Sequence, residues 1–415
     1  MKVLNTISQP NKKKFLVNKI SLVTSIFFAS IAGYGYFAFL PVYLDSKGFS
    51  AGEIIFILMW MGVGIAIFSW FFGRISDKTG RRKLFFTLGL FFQIVVIVLI
   101  PLSNHIVFLC TLNFLRGFLL GLRMPASDAL FADIVENKNK LNKEYVNEGT
   151  YEVSGIQLSV LSTTKSSGWA TGVLISSSII AIFGEGSLIL FLAIMTGISL
   201  VFALPIQDVE KEDLITADKQ LEIKTEEGKK RKRTRATVKF LLFISVFSRQ
   251  FGLIPFIQMI GILLDTAGIP VGLSGIVIAL NPIFQAVAMI IMGRVIDRPK
   301  ISERIMLAVG FSLSAFTLIC YAIGMATGSI FIFIIGQVSL GFSWGCIYTG
   351  AVKYIVNRAP RDRAFYMGIW MTDLQIAKII SYLAFTFLWL IFTPAMVLPY
   401  AIIAPIIGII LVLWL

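Results

Sequence analysis

Apolar residues in this chain neither alternate nor keep to one face of a 3.6-residue period; they fill whole stretches. Twelve such stretches occur, at about 20–43, 52–73, 84–103, 106–130, 162–183, 186–206, 238–264, 271–293, 304–326, 329–353, 364–391 and 396–415. About 20 apolar residues in helical form cross roughly 30 Å of hydrocarbon. Backbone groups inside lipid must bond within their own segment, so the stretches read as helices. The apolar–polar alternation of a membrane barrel is absent. The pattern predicts an all-α integral membrane protein with twelve transmembrane helices.

The polar punctuation between the stretches repeats. Gly73-Arg74-Ile75-Ser76-Asp77-Lys78-Thr79-Gly80-Arg81-Arg82-Lys83 follows the second stretch, and Gly293-Arg294-Val295-Ile296-Asp297-Arg298 lies 220 residues later. The same offset relates Lys19 to Lys239, Asp45 to Asp265, Gly48 to Gly268, Gly52 to Gly272 and Gly121 to Gly341. Two six-helix pseudo-repeats are therefore expected, at 1–206 and 238–415, joined by a charged linker at 207–237. That linker begins acidic and ends basic, and is too polar to bury a core. Parallel repeats suit a transporter, since two halves can rock about a site between them. The first half carries about 11 extra residues near 137–158, where a short amphipathic helix is the default expectation.

Composition agrees: 57% hydrophobic, 14% charged and a mean hydropathy of +0.84 exclude an ordinary soluble domain. The net charge of +14 would suit nucleic acid, but its distribution does not. With a cytoplasmic N-terminus, 32 of the 37 Lys and Arg residues fall on one side and only Lys47 on the other. This is the positive-inside signature of a multi-pass cell-membrane protein with both termini in the cytoplasm. The partners expected are the lipid bilayer and a small solute, with no nucleic acid and a monomeric chain. Cys110, Cys320 and Cys346 lie in separate apolar stretches and read as packing residues, so no metal or other cofactor is expected. Helix 1 follows Lys12-Lys13-Lys14 and is too long for a cleaved signal, so it reads as a retained signal-anchor.

The loop Gly73-xxx-Asp77-Lys78-x-Gly80-Arg81-Arg82, with its degenerate copy at Gly293, Asp297 and Arg298, resembles the signature loop of the major facilitator superfamily. Arg116-Gly117-xxx-Gly121 is similar to that superfamily's helix 4 pattern, with Leu120 where glycine is usual. Gly168-xxx-Gly172 resembles the helix 5 motif of its antiporters, but Val173, Ser176 and Ser177 depart from the motif. Phe39 to Leu44 with Gly48-Phe49-Ser50, and Gly336-Gln337 through Ala359-Pro360-Arg361, look similar to the oligosaccharide and nucleoside proton symporters. The resemblance implies a secondary active transporter working by alternating access, with protons as candidate coupling ion. A multidrug/proton efflux antiporter is the alternative, and a transporter-like receptor or scaffold the alternative of another class. No nucleophile–base–acid set points to an enzyme.

The resemblance further implies that Asp77 faces the N-terminus of helix 11, whose free N–H groups and dipole favour an anion. Gly73 would allow close helix approach, Gly80 a tight turn, and Arg81 would pair with Asp133. In the second half these partners are replaced together, by Ile301 and Lys353.

Charges within membrane helices are costly and usually functional. Four cations, Arg116, Arg123, Arg249 and Lys378, stand against one deep carboxylate, Asp373. Arg249 and Asp373 lie at roughly 16 and 14 Å from the cytoplasmic helix ends, which predicts an ion pair. Arg116 and Lys378, both at roughly 21 Å, have no carboxylate at their level. The balance favours an anionic or neutral solute. Asp373 is the carboxylate placed to carry a coupling proton, and Arg123 is expected to meet Asp128 or a headgroup. Tyr34, Asn281, Gln285, Trp344 and Tyr348 are candidate cavity residues.

Overall fold

The computed structural model describes residues 9–143, 155–208, 238–296, 301–358 and 363–415. The first half contains α1 (Gln9–Ser46), α2 (Ala51–Thr79), α3 (Arg82–Leu99), α4 (Ile106–Lys143), α5 (Gly155–Phe183) and α6 (Ser187–Ala203). The second contains α7 (Leu241–Gln258), α8 (Ile260–Thr266), α9 (Val271–Val295), α10 (Glu303–Thr327), α11 (Ile330–Arg358), α12 (Arg363–Ile391), α13 (Pro394–Ala401) and α14 (Ile403–Leu413). All regular structure among the described residues is helical. Among the described residues, eleven stretches are long and apolar enough to cross a membrane, one of them formed by α13 and α14 together. The twelfth expected span, 186–206, is the shorter apolar helix Ser187–Ala203. The span expected at 238–264 is broken at Met259, just after Pro255, into α7 and α8.

The two halves use one packing scheme. In the first, α2 packs on α4, α1 on α5 and α6, and α3 on α4 and α6. In the second, α9 packs on α11, α7 on α12 and α14, and α10 on α11 and α14. The repeated glycines show why the register was kept. Gly48 and Gly268 both adopt positive φ, 87° and 79°, which glycine reaches without a Cβ clash. A Cβ on Gly121 would lie 2.9 Å from Ser69 N, and one on Gly341 2.6 Å from the Asn281 carbonyl oxygen, so each marks a close helix crossing. The halves meet through α2 against α12 and α5 against α9.

The apolar core is organised differently at the two ends of the bundle. At the end opposite the termini, one cluster draws residues from both halves, among them Phe39, Leu58, Leu264, Ile278 and Phe385. At the termini end the described core divides. Leu22, Phe86, Leu130 and Ala203 cluster within the first half, and Leu242, Phe311, Ile355 and Trp370 within the second. Each half is tied to itself there. Asn18 exchanges two hydrogen bonds with the backbone of Gln207, and Lys239 Nζ donates to the Trp414 carbonyl. Of the extra segment of the first half, the described residues continue the neighbouring helices: α4 runs on to Lys143 and α5 begins at Gly155. Residues 144–154, and the linker from 209 to 237, lie outside the described residues.

A proline inside a helix leaves the carbonyl four residues back without its intrahelical donor, because proline has no N–H, and at two such carbonyls a side chain of another helix supplies one. In α1, Pro41 frees the Phe37 carbonyl, and Gln258 Nε2, at the end of α7 in the other half, donates to it. In α7, Pro255 frees the Phe251 carbonyl, and the Ser381 hydroxyl of α12 donates to it.

Candidate functional site

Four helices bring the deep charges to the middle of the bundle. Arg116, on α4, is 1% exposed. Its guanidinium carbon lies 3.3 Å from the Tyr36 ring centroid, and Nη1 donates to Met61 Sδ at 3.0 Å. Tyr36 is fixed in turn by its hydroxyl, which donates to Asn113 Oδ1 at 2.9 Å. The remaining edge of the guanidinium, Nε and Nη2, is buried without a hydrogen-bond partner. Lys378, on α12, comes from the other half. Its ammonium lies 5.2 Å from the ring centroids of both Phe37 and Tyr382, and its stem passes 3.9 Å from the Cβ position of Gly62. Arg116 and Lys378 thus pack against adjacent residues of α1, Tyr36 and Phe37. No carboxylate among the described residues pairs with either.

Aromatic and amide groups continue from this pair. Phe37 stacks on Tyr34 at 5.3 Å, and Tyr34 on Trp169 of α5 at 4.8 Å. Tyr34 lies beside Asn281 of α9, whose Oδ1 is buried and unpartnered. Gln285, one turn on, donates to Ser166 Oγ of α5 at 3.5 Å. Trp344 receives the Arg249 guanidinium at 5.3 Å and neighbours Tyr348 at 6.3 Å.

The structure corrects the expected Arg249–Asp373 pair. Arg249 Nε donates to Ser314 Oγ at 2.9 Å, Nη1 to Gln250 Oε1 at 3.0 Å and Nη2 to Ser343 Oγ at 3.4 Å. The guanidinium thus sits between α10 and α11 in a hydroxyl cluster, and no ion pair with Asp373 is present among the described residues. Matching depth fixed only one cylindrical coordinate; the angle about the helix axis decided the partner. Asp373 is half-buried, with Oδ2 unpartnered among the described groups. Asp128 is also engaged differently from expectation. It pairs with Lys165 of α5 at 2.7 Å, and Arg123 is buried nearby with Nε unpartnered.

The signature loop is described in part. Gly80 ends α2 with φ 68° and donates its N–H to the Ser76 carbonyl, the tight turn expected of it. Arg81 is exposed and Arg82 opens α3. A Cβ on Gly73 would sit 3.7 Å from Pro125 Cβ, an ordinary contact, and one on Gly293 would meet nothing within 4 Å. Close approach is therefore not what these two glycines provide in this conformation. The side chains of Asp77, Lys78 and Asp133, and all of Asp297 and Arg298, lie outside the described residues. Lys353, which replaces the acid of the first half, donates from Nζ to the Ile296 carbonyl at 2.6 Å. A cation thus meets the negative end of α9.

The sequence profile of the Major Facilitator Superfamily matches residues 22–298 and 240–415. The chain belongs to the major facilitator superfamily. Among solved structures, the nucleoside transporter NupG superposes with a TM-score of 0.71 at 10% identity, covering 95% of this chain and 97% of that one. PepTSo, a POT family transporter, gives 0.72 at 12% identity, covering 97% of each. A POT family transporter in complex with 5-aminolevulinic acid gives 0.70 at 15%, covering 95% and 94%. At such identities the likeness speaks for the fold. No curated protein matches the chain. Membership makes this major facilitator a multi-pass membrane transporter and not an enzyme.

Sequence reasoning found the cations and missed what holds them. Tyr36, Phe37, Tyr382 and Gln258 were unmarked, because an aromatic or amide residue in an apolar run resembles packing. Pro41 was the available signal: a proline inside a helix announces a free carbonyl four residues earlier.

Proposed function

We propose that this protein is a secondary active transporter that carries a small anionic solute by alternating access. Residues 1–206 and 238–415 are its moving halves. One observation carries the reading. Arg116 and Lys378 are buried on opposite halves, against the adjacent rings of Tyr36 and Phe37, with no described carboxylate to neutralise them. Two uncompensated cations in a weakly screened interior exclude a cationic solute and favour an anion. The superposed structures include transporters of nucleosides and a POT protein holding 5-aminolevulinic acid, which supports a small polar solute. The buried Oδ2 of Asp373, without a partner among the described groups, supports proton coupling. The charge distribution supports a cell-membrane protein with cytoplasmic termini.

The test is transport into proteoliposomes of solute pairs that differ only in charge, each carboxylate against its amide and its amine. The anion should be carried in preference, and Arg116→Gln or Lys378→Gln should abolish the preference. Efficient transport of lipophilic cations, unaffected by either substitution, overturns the reading.

A further inference from the structure

The unpaired edge of Arg116 is more specific than a positive charge. Its guanidinium is held in three ways: Nη1 is taken by Met61 Sδ, the cation sits on the Tyr36 ring, and Tyr36 is tethered to Asn113. Only Nε and Nη2 remain, buried and without acceptors. Those two nitrogens form the side-on edge of the fork, with parallel N–H bonds spaced like the two oxygens of a carboxylate. A buried charged donor left unpaired is costly, so an edge fixed in this way is prepared for a partner. Lys378 offers the complementary group: a point charge on a flexible stem, resting on two rings and bonded to no described acceptor.

We propose that the transported solute binds through a carboxylate, received side-on by Arg116 Nε and Nη2 and capped by Lys378. This rests on the anionic reading above and narrows it to a planar, two-oxygen anion. The two cations belong to different halves, α4 and α12, so the carboxylate site is complete only where the halves meet. An empty site sets like charges against each other; a bound carboxylate neutralises the repulsion and bridges the halves. Binding energy is thereby directed into the motion that encloses the solute.

The experiment uses the full-length purified protein and three probe sets: benzoate, phenylacetate and hexanoate, each with its primary amide and its sulfonate counterpart. Binding is followed by isothermal titration calorimetry. Each carboxylate that binds should exceed its sulfonate and its amide by on the order of tenfold or more. Arg116→Lys keeps the charge and removes the fork. It should weaken carboxylates by on the order of tenfold or more and erase their advantage over sulfonates. Sulfonate binding of parent strength in the same variant shows that it is folded. Equal affinity for carboxylate and sulfonate, or a lysine variant that retains the carboxylate advantage, overturns the fork while leaving the anionic reading intact. Amides binding as well as acids overturns both. Binding by none of the carboxylates overturns the proposal.

Discussion

Gln258 closes the end of the bundle opposite the termini, and breaking its contact should open that end. Its amide is fully buried and joins three elements: Nε2 donates to the Phe37 carbonyl of α1, and Oε1 accepts from the Tyr382 hydroxyl of α12 at 2.9 Å. Pro41 has removed the carbonyl's own helical donor. Gln258→Leu therefore strands a buried carbonyl in the closed form, at a cost of about 1–3 kcal/mol, while in the open form water can reach it. A shift of about 2 kcal/mol changes the ratio of open to closed by roughly thirtyfold. Spin labels at Lys47→Cys and Thr266→Cys, both exposed at that end, would report the ratio by double electron–electron resonance. The long-distance population should rise in Gln258→Leu. In a Pro41→Ala background residue 41 supplies the missing N–H, and the same substitution should then shift the ratio by less, only the Tyr382 hydroxyl being left without its acceptor. Equal shifts in both backgrounds would refute the role assigned to the freed carbonyl.

Ser381→Ala should lower the thermal midpoint of purified protein, by about 1–3 kcal/mol of stability, because it strands the Phe251 carbonyl freed by Pro255. Pro255→Ala should restore most of that loss, and an unchanged midpoint in the single variant would remove the assignment. If Asp77 faces a helix N-terminus, as the resemblance to the superfamily's signature loop implies, Asp77→Asn should slow transport in proteoliposomes while leaving membrane insertion normal; a parental rate would contradict it. Arg81 and Asp133, replaced together in the second half, should show non-additive losses of transport rate in a double-mutant cycle. Additive effects would speak against a direct pair.

The architecture was legible because it rests on long-range regularity. Length of apolar run, offset of repeated glycines and sidedness of lysine and arginine each average over many residues, so single exceptions do not blur them. The exceptions that did occur are local: Met259 interrupts a span, and Ser187–Ala203 is shorter than its run suggested. Site chemistry was legible to the level of depth. Arg116 and Lys378, read at similar height, pack on Tyr36 and Phe37, adjacent residues of α1. The same reasoning failed for Arg249, because height says nothing of azimuth and a rotation of one residue is about 100°. Ser314 and Ser343, which do receive Arg249, are hydroxyls of a kind scattered through membrane helices and gave no advance sign. Lys165, inside the fifth apolar stretch, carried no mark in the sequence and is the partner of Asp128.

The uneven core has a thermal consequence. Parting the halves at the end opposite the termini hydrates a continuous apolar seam, whereas at the termini end the described clusters are already separate. Hydrating apolar surface raises heat capacity. The equilibrium between the two facing states should therefore follow a curved van't Hoff plot, with the seam held less firmly on cooling. A carrier built in this way has a temperature at which its seam is tightest, set by how much of its core the two halves share.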